Sequence, residues 1–241
     1  MLQIENLLNK IINADCMEIL KELPDNSIDL VLTDPPYEFK DGKISAGGGI
    51  YKNDNKKHLE KIKSSFGTTF NPSEFLELIE NKMKKVNMLV WTNKHLLTNY
   101  IEFAAKKRYN FEIFLWTKPN PIPAYNNHLL IDKEYCVIIR ENGAYFNNDL
   151  QYEDYFTYYD YPIGKKESEH PTEKPIKIFE HLIKVFSKKY DIVLDCFSGS
   201  GTTAIACHNL EREFICIEKD KDFYNESIQR LENAKAQLKI F

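Results

Sequence analysis

Short apolar runs alternate with longer amphipathic ones along most of the chain. Ile28 to Thr33, Val86 to Trp91, Phe111 to Thr117, Tyr135 to Ile139, Ile192 to Leu194 and Phe214 to Ile217 read as strands, and a further short strand precedes Asp15. Ser73 to Lys85, His95 to Lys107, Ile176 to Ser187, Thr202 to Asn209 and a closing run from about Asp222 carry the spacing of amphipathic helices. Near-continuous apolar strands separated by helices predict an α/β fold around a mostly parallel sheet. Asn71-Pro72-Ser73-Glu74 supplies start signals for the helix that follows, and Phe75, Leu76, Ile79 and Met83 fall on the one face expected to cover the sheet. No internal repeat is visible.

Two stretches break the alternation. Residues 40–70 are polar, hold Gly47-Gly48-Gly49 and carry Lys52, Lys56, Lys57, Lys61 and Lys63, the make-up of a long mobile surface loop. Residues 144–169 crowd Tyr145, Phe146, Tyr152, Tyr155, Phe156, Tyr158, Tyr159 and Tyr161 among acids without a clean period, which predicts an excursion from the sheet.

The chain has 241 residues, enough for one domain with small insertions. Its net charge of -4 excludes a uniformly basic nucleic-acid coat, so any polyanion must meet a local patch. No apolar run approaches the roughly 20 residues of a membrane span, and the N-terminus lacks the apolar core of a secretory signal. Cys16, Cys136, Cys196, Cys207 and Cys216 form no C-x-x-C pair and sit mostly in apolar surroundings, as reduced core thiols do. The expectation is a cytoplasmic protein with no membrane partner and no metal.

Two motifs carry chemistry. Thr33-Asp34-Pro35-Pro36-Tyr37 follows an apolar strand directly, at the kind of strand end where α/β proteins bind ligands. The prolines fix φ and leave their carbonyls free to accept hydrogen bonds. A carboxylate, a carbonyl and an aromatic ring suit the exocyclic amino group of a nucleobase, whose lone pair is conjugated until acceptors draw it pyramidal. The plainer alternative is a strand stopped by two prolines, with Tyr37 packing. The second motif, Asp195-Cys196-Phe197-Ser198-Gly199-Ser200-Gly201-Thr202-Thr203, joins a strand to a helix through a glycine turn, and Glu218 ends the next strand. Glycines let a ligand approach the backbone, and a strand-end acid can take ribose hydroxyls. A third glycine at dinucleotide spacing is absent, which disfavours a nicotinamide cofactor; a turn serving only chain reversal is the alternative.

These residues, with Glu169-His170-Pro171-Thr172-Glu173-Lys174-Pro175 between them, carry a resemblance to the DNA amino-methyltransferases that use S-adenosylmethionine. The order, DPPY first and glycine turn last, resembles their permuted beta group, and DPPY is similar to the members that act on adenine N6. The resemblance covers nearly the whole chain. It implies a Rossmann-like doubly wound sheet with helices on both faces in circularly permuted order, and a single methyltransferase domain whose cofactor-binding half spans 170–241.

The resemblance further implies that Asp34 and the Pro35 carbonyl hold the target amine, beside Pro36, while Tyr37 stacks on the flipped base. Asp195, Phe197, Ser198, Gly199, Gly201 and Thr202 would line the cofactor, with Glu218 and Lys219 toward its ribose and Asp15 and Cys16 near its adenine. His170, Thr172 and Lys174 would lie at the methionine end, Lys174 neutralising a carboxylate. A helix N-cap is the alternative for Asp15 and a solvated helix entry for His170 and Lys174. Transfer would be direct, with no cysteine nucleophile.

Double-stranded DNA is the implied partner, with a homodimer and a cognate restriction endonuclease as further candidates. Target recognition is expected in 144–169, although that insertion is short and acidic, and in the lysine-rich loop. A solvated loop and a small packing cluster are the respective alternatives. Transfer to cytosine N4 remains open, as do a non-catalytic DNA-binding module, which predicts damage at Asp34, Tyr37 or the glycine turn where none is visible, and methylation of RNA or a protein amide, which the permuted order disfavours.

Overall fold

The computed structural model describes residues 2–36, 70–121, 129–164 and 173–238. Along the chain these form β1 (Lys10–Asn13), α1 (Cys16–Glu22), β2 (Leu30–Thr33), α2 (Pro72–Glu80), β3 (Asn87–Thr92), α3 (Leu97–Lys107), β4 (Asn110–Thr117), β5 (Lys133–Arg140), β6 (Tyr158–Asp160), α4 (Ile176–Phe186), β7 (Ile192–Asp195), α5 (Thr202–Asn209), β8 (Glu213–Glu218) and α6 (Lys221–Leu238). The strands make one eight-stranded sheet in the order β1-β8-β7-β2-β3-β5-β4-β6. Every pairing is parallel except those of β5 with β3 and β4. The last two strands in sequence, β7 and β8, therefore lie between β1 and β2.

Side chains alternate across the sheet and build a core on each face. Leu30 and Leu32 of β2 with Leu89 and Trp91 of β3 face Phe179, Leu182 and Ile183 of α4, Ala206 of α5 and Leu231 of α6. Val31, Met88 and Val90 face Leu20 of α1, Phe75, Leu76 and Ile79 of α2, and Tyr100 and Ala104 of α3. Helices thus cover both faces, as expected of a doubly wound fold.

Most elements lie where the pattern puts them, and two departures have local causes. Helix α2 starts at Pro72, capped by the Asn71 side chain, but ends at Glu80 instead of Lys85. Beyond it the backbone is drawn to Ile28: the Ile28 N–H donates to the Lys82 carbonyl at 3.0 Å, and Lys84 N–H to the Ile28 carbonyl at 2.8 Å. That exchange also delays the start of β2 to Leu30. The aromatic stretch is the second departure, because Tyr158–Asp160 joins the sheet as edge strand β6 beside β4. Trp116 Nε1 donates to the Tyr161 carbonyl at 2.8 Å, and Phe146 stacks on Tyr155 and meets Phe186 edge-on. Lys52, Lys56, Lys57, Lys61 and Lys63 lie outside the described residues, as do 165–169.

Candidate active site

Parallel register brings the carboxyl ends of β1, β8, β7 and β2 to one edge, with Asn13 beside Glu218, Asp195 beside Cys216 and Val31 beside Leu194. The two chemistry-bearing motifs therefore leave the sheet from neighbouring strands. A side-chain clasp joins them: the Thr33 hydroxyl donates to Asp195 Oδ1 at 2.8 Å and accepts from the Cys196 N–H at 3.2 Å. One residue on, Asp34 lies at the rim with 19% of its side chain exposed. Pro35 is buried and Pro36 half-buried, while Tyr37 lies outside the described residues.

The turn after β7 is shaped by backbone that favours glycine. Gly199 and Gly201 have φ of 50° and 81°, values costly to side-chain-bearing residues. A Cβ on Gly201 would come within 2.9 Å of the Ser227 Cβ, so this glycine also lets α6 pack against the turn. Arg230, one turn along α6, donates to the Ser200 carbonyl at 2.6 Å and pairs with Glu173 at 2.5 Å. The Ser198 N–H is held by the Ile217 carbonyl at 2.9 Å, yet the buried Ser198 hydroxyl has no hydrogen-bond partner among the described residues. Phe197 is half-buried, its ring packed on Phe70 and Phe75. Thr202 opens α5 and is buried.

Three carboxylates stand in different states at neighbouring strand ends, Asp195 and Glu218 closing β7 and β8 and Asp15 two residues beyond β1. Asp195 is 3% exposed; its Oδ1 accepts from Thr33 and from the Phe197 N–H, and its Oδ2 from the Thr203 hydroxyl. Burial pushes its carboxyl up to about 6 despite those bonds. With three donors on its two oxygens, against two on Glu218, Asp195 braces the turn. Glu218 is equally buried, accepts from the Gly199 N–H at 2.8 Å and the Asp220 N–H at 2.7 Å, and is raised by burial to about 7. Asp15 is the N-cap of α1, accepting from the Met17 N–H at 2.9 Å, and its other oxygen pairs with Lys219 at 2.9 Å. Burial alone would raise the Asp15 carboxyl, but the Lys219 ammonium and the Met17 N–H hold it below its ordinary value. Cys16 is buried beside it. All five cysteines are free and buried.

Lys174 sits just before α4, 5% exposed, with its ammonium paired to Asp34 Oδ2 and 3.2 Å from Glu134 Oε2. Glu134, at the start of β5, also accepts from Lys118 at the end of β4 at 2.5 Å. Neither Glu134 nor Lys118 stands out in the sequence, because no motif surrounds them and only the antiparallel β4–β5 pairing carries them to this edge. Arg230 is missed for the same reason: in sequence it is one more charge on a closing helix. His170 and Thr172 lie outside the described residues.

A family profile described as DNA methylase, of the N6/N4 type, matches residues 28–229, which include both motifs and the clasp between them. The chain belongs to the N6/N4 DNA methylases. Among the relatives of this DNA methylase are the type II methyltransferases M2.MboI of Moraxella bovis, 28% identical over 95% of this chain and 89% of the relative, and M2.DpnII of Streptococcus pneumoniae, 29% identical over 92% and 89%. The crystal structure of an M1.HpyAVI–SAM complex superposes with a TM-score of 0.66 at 25% identity, over 92% of this chain and 99% of that one. The cytosine-N4-specific PvuII DNA methyltransferase shares the fold, with a TM-score of 0.71 at 17% identity, over 92% and 85%. Among the described residues no helix is long and apolar enough to cross a membrane, and no group of three or more His, Cys, Asp or Glu is placed to hold a metal.

Proposed function

We propose that this DNA methylase transfers a methyl group from S-adenosylmethionine to N6 of an adenine flipped out of duplex DNA. The observation that carries the reading is the Thr33–Asp195 clasp, which ties the strand end bearing Asp34 to the strand end bearing the glycine turn. A donor held at one and an acceptor held at the other would be neighbours, and positioning is a large part of such catalysis.

The residues present fit the donor. The buried Ser198 hydroxyl, unpartnered among the described residues, and the glycine turn offer polar contacts and close backbone approach, and Glu218 at the end of β8 and Asp15 just beyond the neighbouring β1 would take the ribose and the adenine. Phe197, Gly199, Gly201 and Thr202 form the wall in this reading, with Cys16 and Lys219 beside Asp15 and with His170, Thr172 and Lys174 toward the methionine end. Ribose hydroxyls donating to Glu218 would favour its ionised form, so binding and ionisation are linked there. When bound, S-adenosylmethionine supplies an electrophilic methyl on a sulfonium.

The chain's own part is to hold the amine. Asp34 accepts one N–H, the Pro35 carbonyl the other, and Pro36 keeps the segment rigid, so the nitrogen lone pair is freed toward the methyl. Tyr37 stacks on the extruded base. No side chain forms a covalent bond to the substrate.

Adenine is preferred because Asp34 opens a DPPY motif, similar to that of adenine-N6 enzymes. The type II names of the relatives favour a cytoplasmic role beside a cognate restriction endonuclease. A homodimer would supply recognition surface that the short, acidic 144–169 insertion does not. Expression in bacteria lacking DNA methylation, followed by base analysis of genomic DNA, tests the reading. N6-methyladenine at one short sequence is expected; N4-methylcytosine would overturn the base assignment.

A further inference from the structure

Four charged side chains alternate in sign across the site: Asp34, Lys174, Glu134 and Lys118. Lys174 is the buried member, its ammonium 5.5 Å from the centre of the Trp91 ring, and a buried ammonium is costly unless carboxylates surround it. Asp34 is one of its counterions. When Asp34 accepts from a target amine, that oxygen pair is shared and the ammonium loses part of its compensation.

Glu134 makes good that loss, because its Oε2 already lies 3.2 Å from Lys174. Its other oxygen is held by Lys118, whose ammonium rests 4.5 Å over the Trp116 ring. Burial would raise the Glu134 carboxyl, but Lys174 and Lys118 outweigh it and keep the group below its ordinary range. Glu134 is therefore a fixed, charged seat.

We infer that Glu134 is a positioning residue for methyl transfer: it holds the Lys174 ammonium beside Asp34 and takes it over when Asp34 turns to the target amine. The inference rests on the reading that Asp34 grips that amine.

Glu134→Gln keeps size and removes the charge. Its kcat should fall about tenfold, with the KM for S-adenosylmethionine within about twofold of wild type, since the lost interaction matters mainly in the transition state. In a Lys174→Gln background the same change should cost nothing further, because the ammonium it serves is gone. Losses that multiply across the two sites, or an unchanged kcat in the single variant, overturn the inference.

A second readout does not need activity. The chain has two tryptophans, so Trp116→Phe leaves Trp91 as the only reporter beside Lys174, and Glu134→Gln in that background should alter its emission. An unaltered spectrum overturns the inference even if the wild type methylates nothing. An altered spectrum with a wild type that methylates no DNA would leave the seat standing and overturn the functional reading instead.

Discussion

Asp34 and Asp195 follow or end adjacent parallel strands, one residue past β2 and at the tip of β7, and their surroundings divide their tasks. Asp195 is sealed, accepts from three protein donors and is raised to about 6 by burial. Asp34 is partly exposed and is met by the Lys174 ammonium, itself shared with Glu134. A carboxylate saturated by hydroxyl and backbone donors is scaffold, because any movement leaves several buried groups unpaired. A carboxylate held by a shared cation can exchange partners. The lesson is that the chemical letter alone does not separate the two; the number and kind of donors around it does.

The comparison breaks most sharply at Asp34. Asp34→Ala should cut methyl transfer by a factor of about 10²–10³, the order seen on removal of an oriented group in a water-poor site. Cofactor affinity should change little, while the midpoint of unfolding should fall because the buried Lys174 ammonium loses a carboxylate partner; equilibrium binding and denaturation would check both. Asp195→Ala should act mainly on stability, which should fall by roughly 2–4 kcal/mol, because Thr33, Thr203 and the Phe197 N–H lose a buried acceptor. Urea denaturation measures it.

The same contrast has a pH signature. Asp195 and Glu218 are raised from 3.8 and 4.5 to about 6 and about 7, so the folded state binds more protons than the unfolded one between about pH 4 and pH 7. The stability these two groups contribute is complete below the unfolded values and is lost as pH rises through the folded ones. Across that range the urea midpoint of the wild type should fall more steeply with pH than that of Asp195→Asn, since the variant lacks one of the two titrations. A wild-type midpoint that falls no more steeply with pH than the variant's would contradict the assignment.

Smaller effects sharpen the picture. Gly201→Ala combines a φ of 81° with a Cβ 2.9 Å from Ser227, so a loss of about 1–3 kcal/mol and weaker cofactor binding are expected. Asp15→Ala removes an N-cap and a largely solvated pair with Lys219, for about 1 kcal/mol. Thermal denaturation separates the two.

Elements with clear boundary signals were legible in the sequence: Thr202–Asn209, buried along most of its length, starts at the glycine turn and ends where expected, and Ile192 and Phe214 begin or flank true strands. The three-residue strand β6 was not, since it is too short to show alternation and owes its place to β4. The reversed direction of β5 leaves no trace in composition either. For the site, the strand ends bearing Asp34, the glycine turn and Glu218 could be read because each motif is local. The state of Asp195 could not, because Thr33 and Thr203 reach it through folding. Lys174 was legible as a residue of note, but its pairing with Asp34 and Glu134 depends on three elements meeting at one edge.

The central claim is that the two clasped strand ends form one centre for methylating a nucleobase amine. Incubation of the purified protein with methyl-labelled S-adenosylmethionine and unmethylated duplex DNA, followed by nucleoside digestion and mass spectrometry, addresses it directly. The account predicts label in N6-methyladenine. Bound cofactor with no label in any base of the DNA would contradict it.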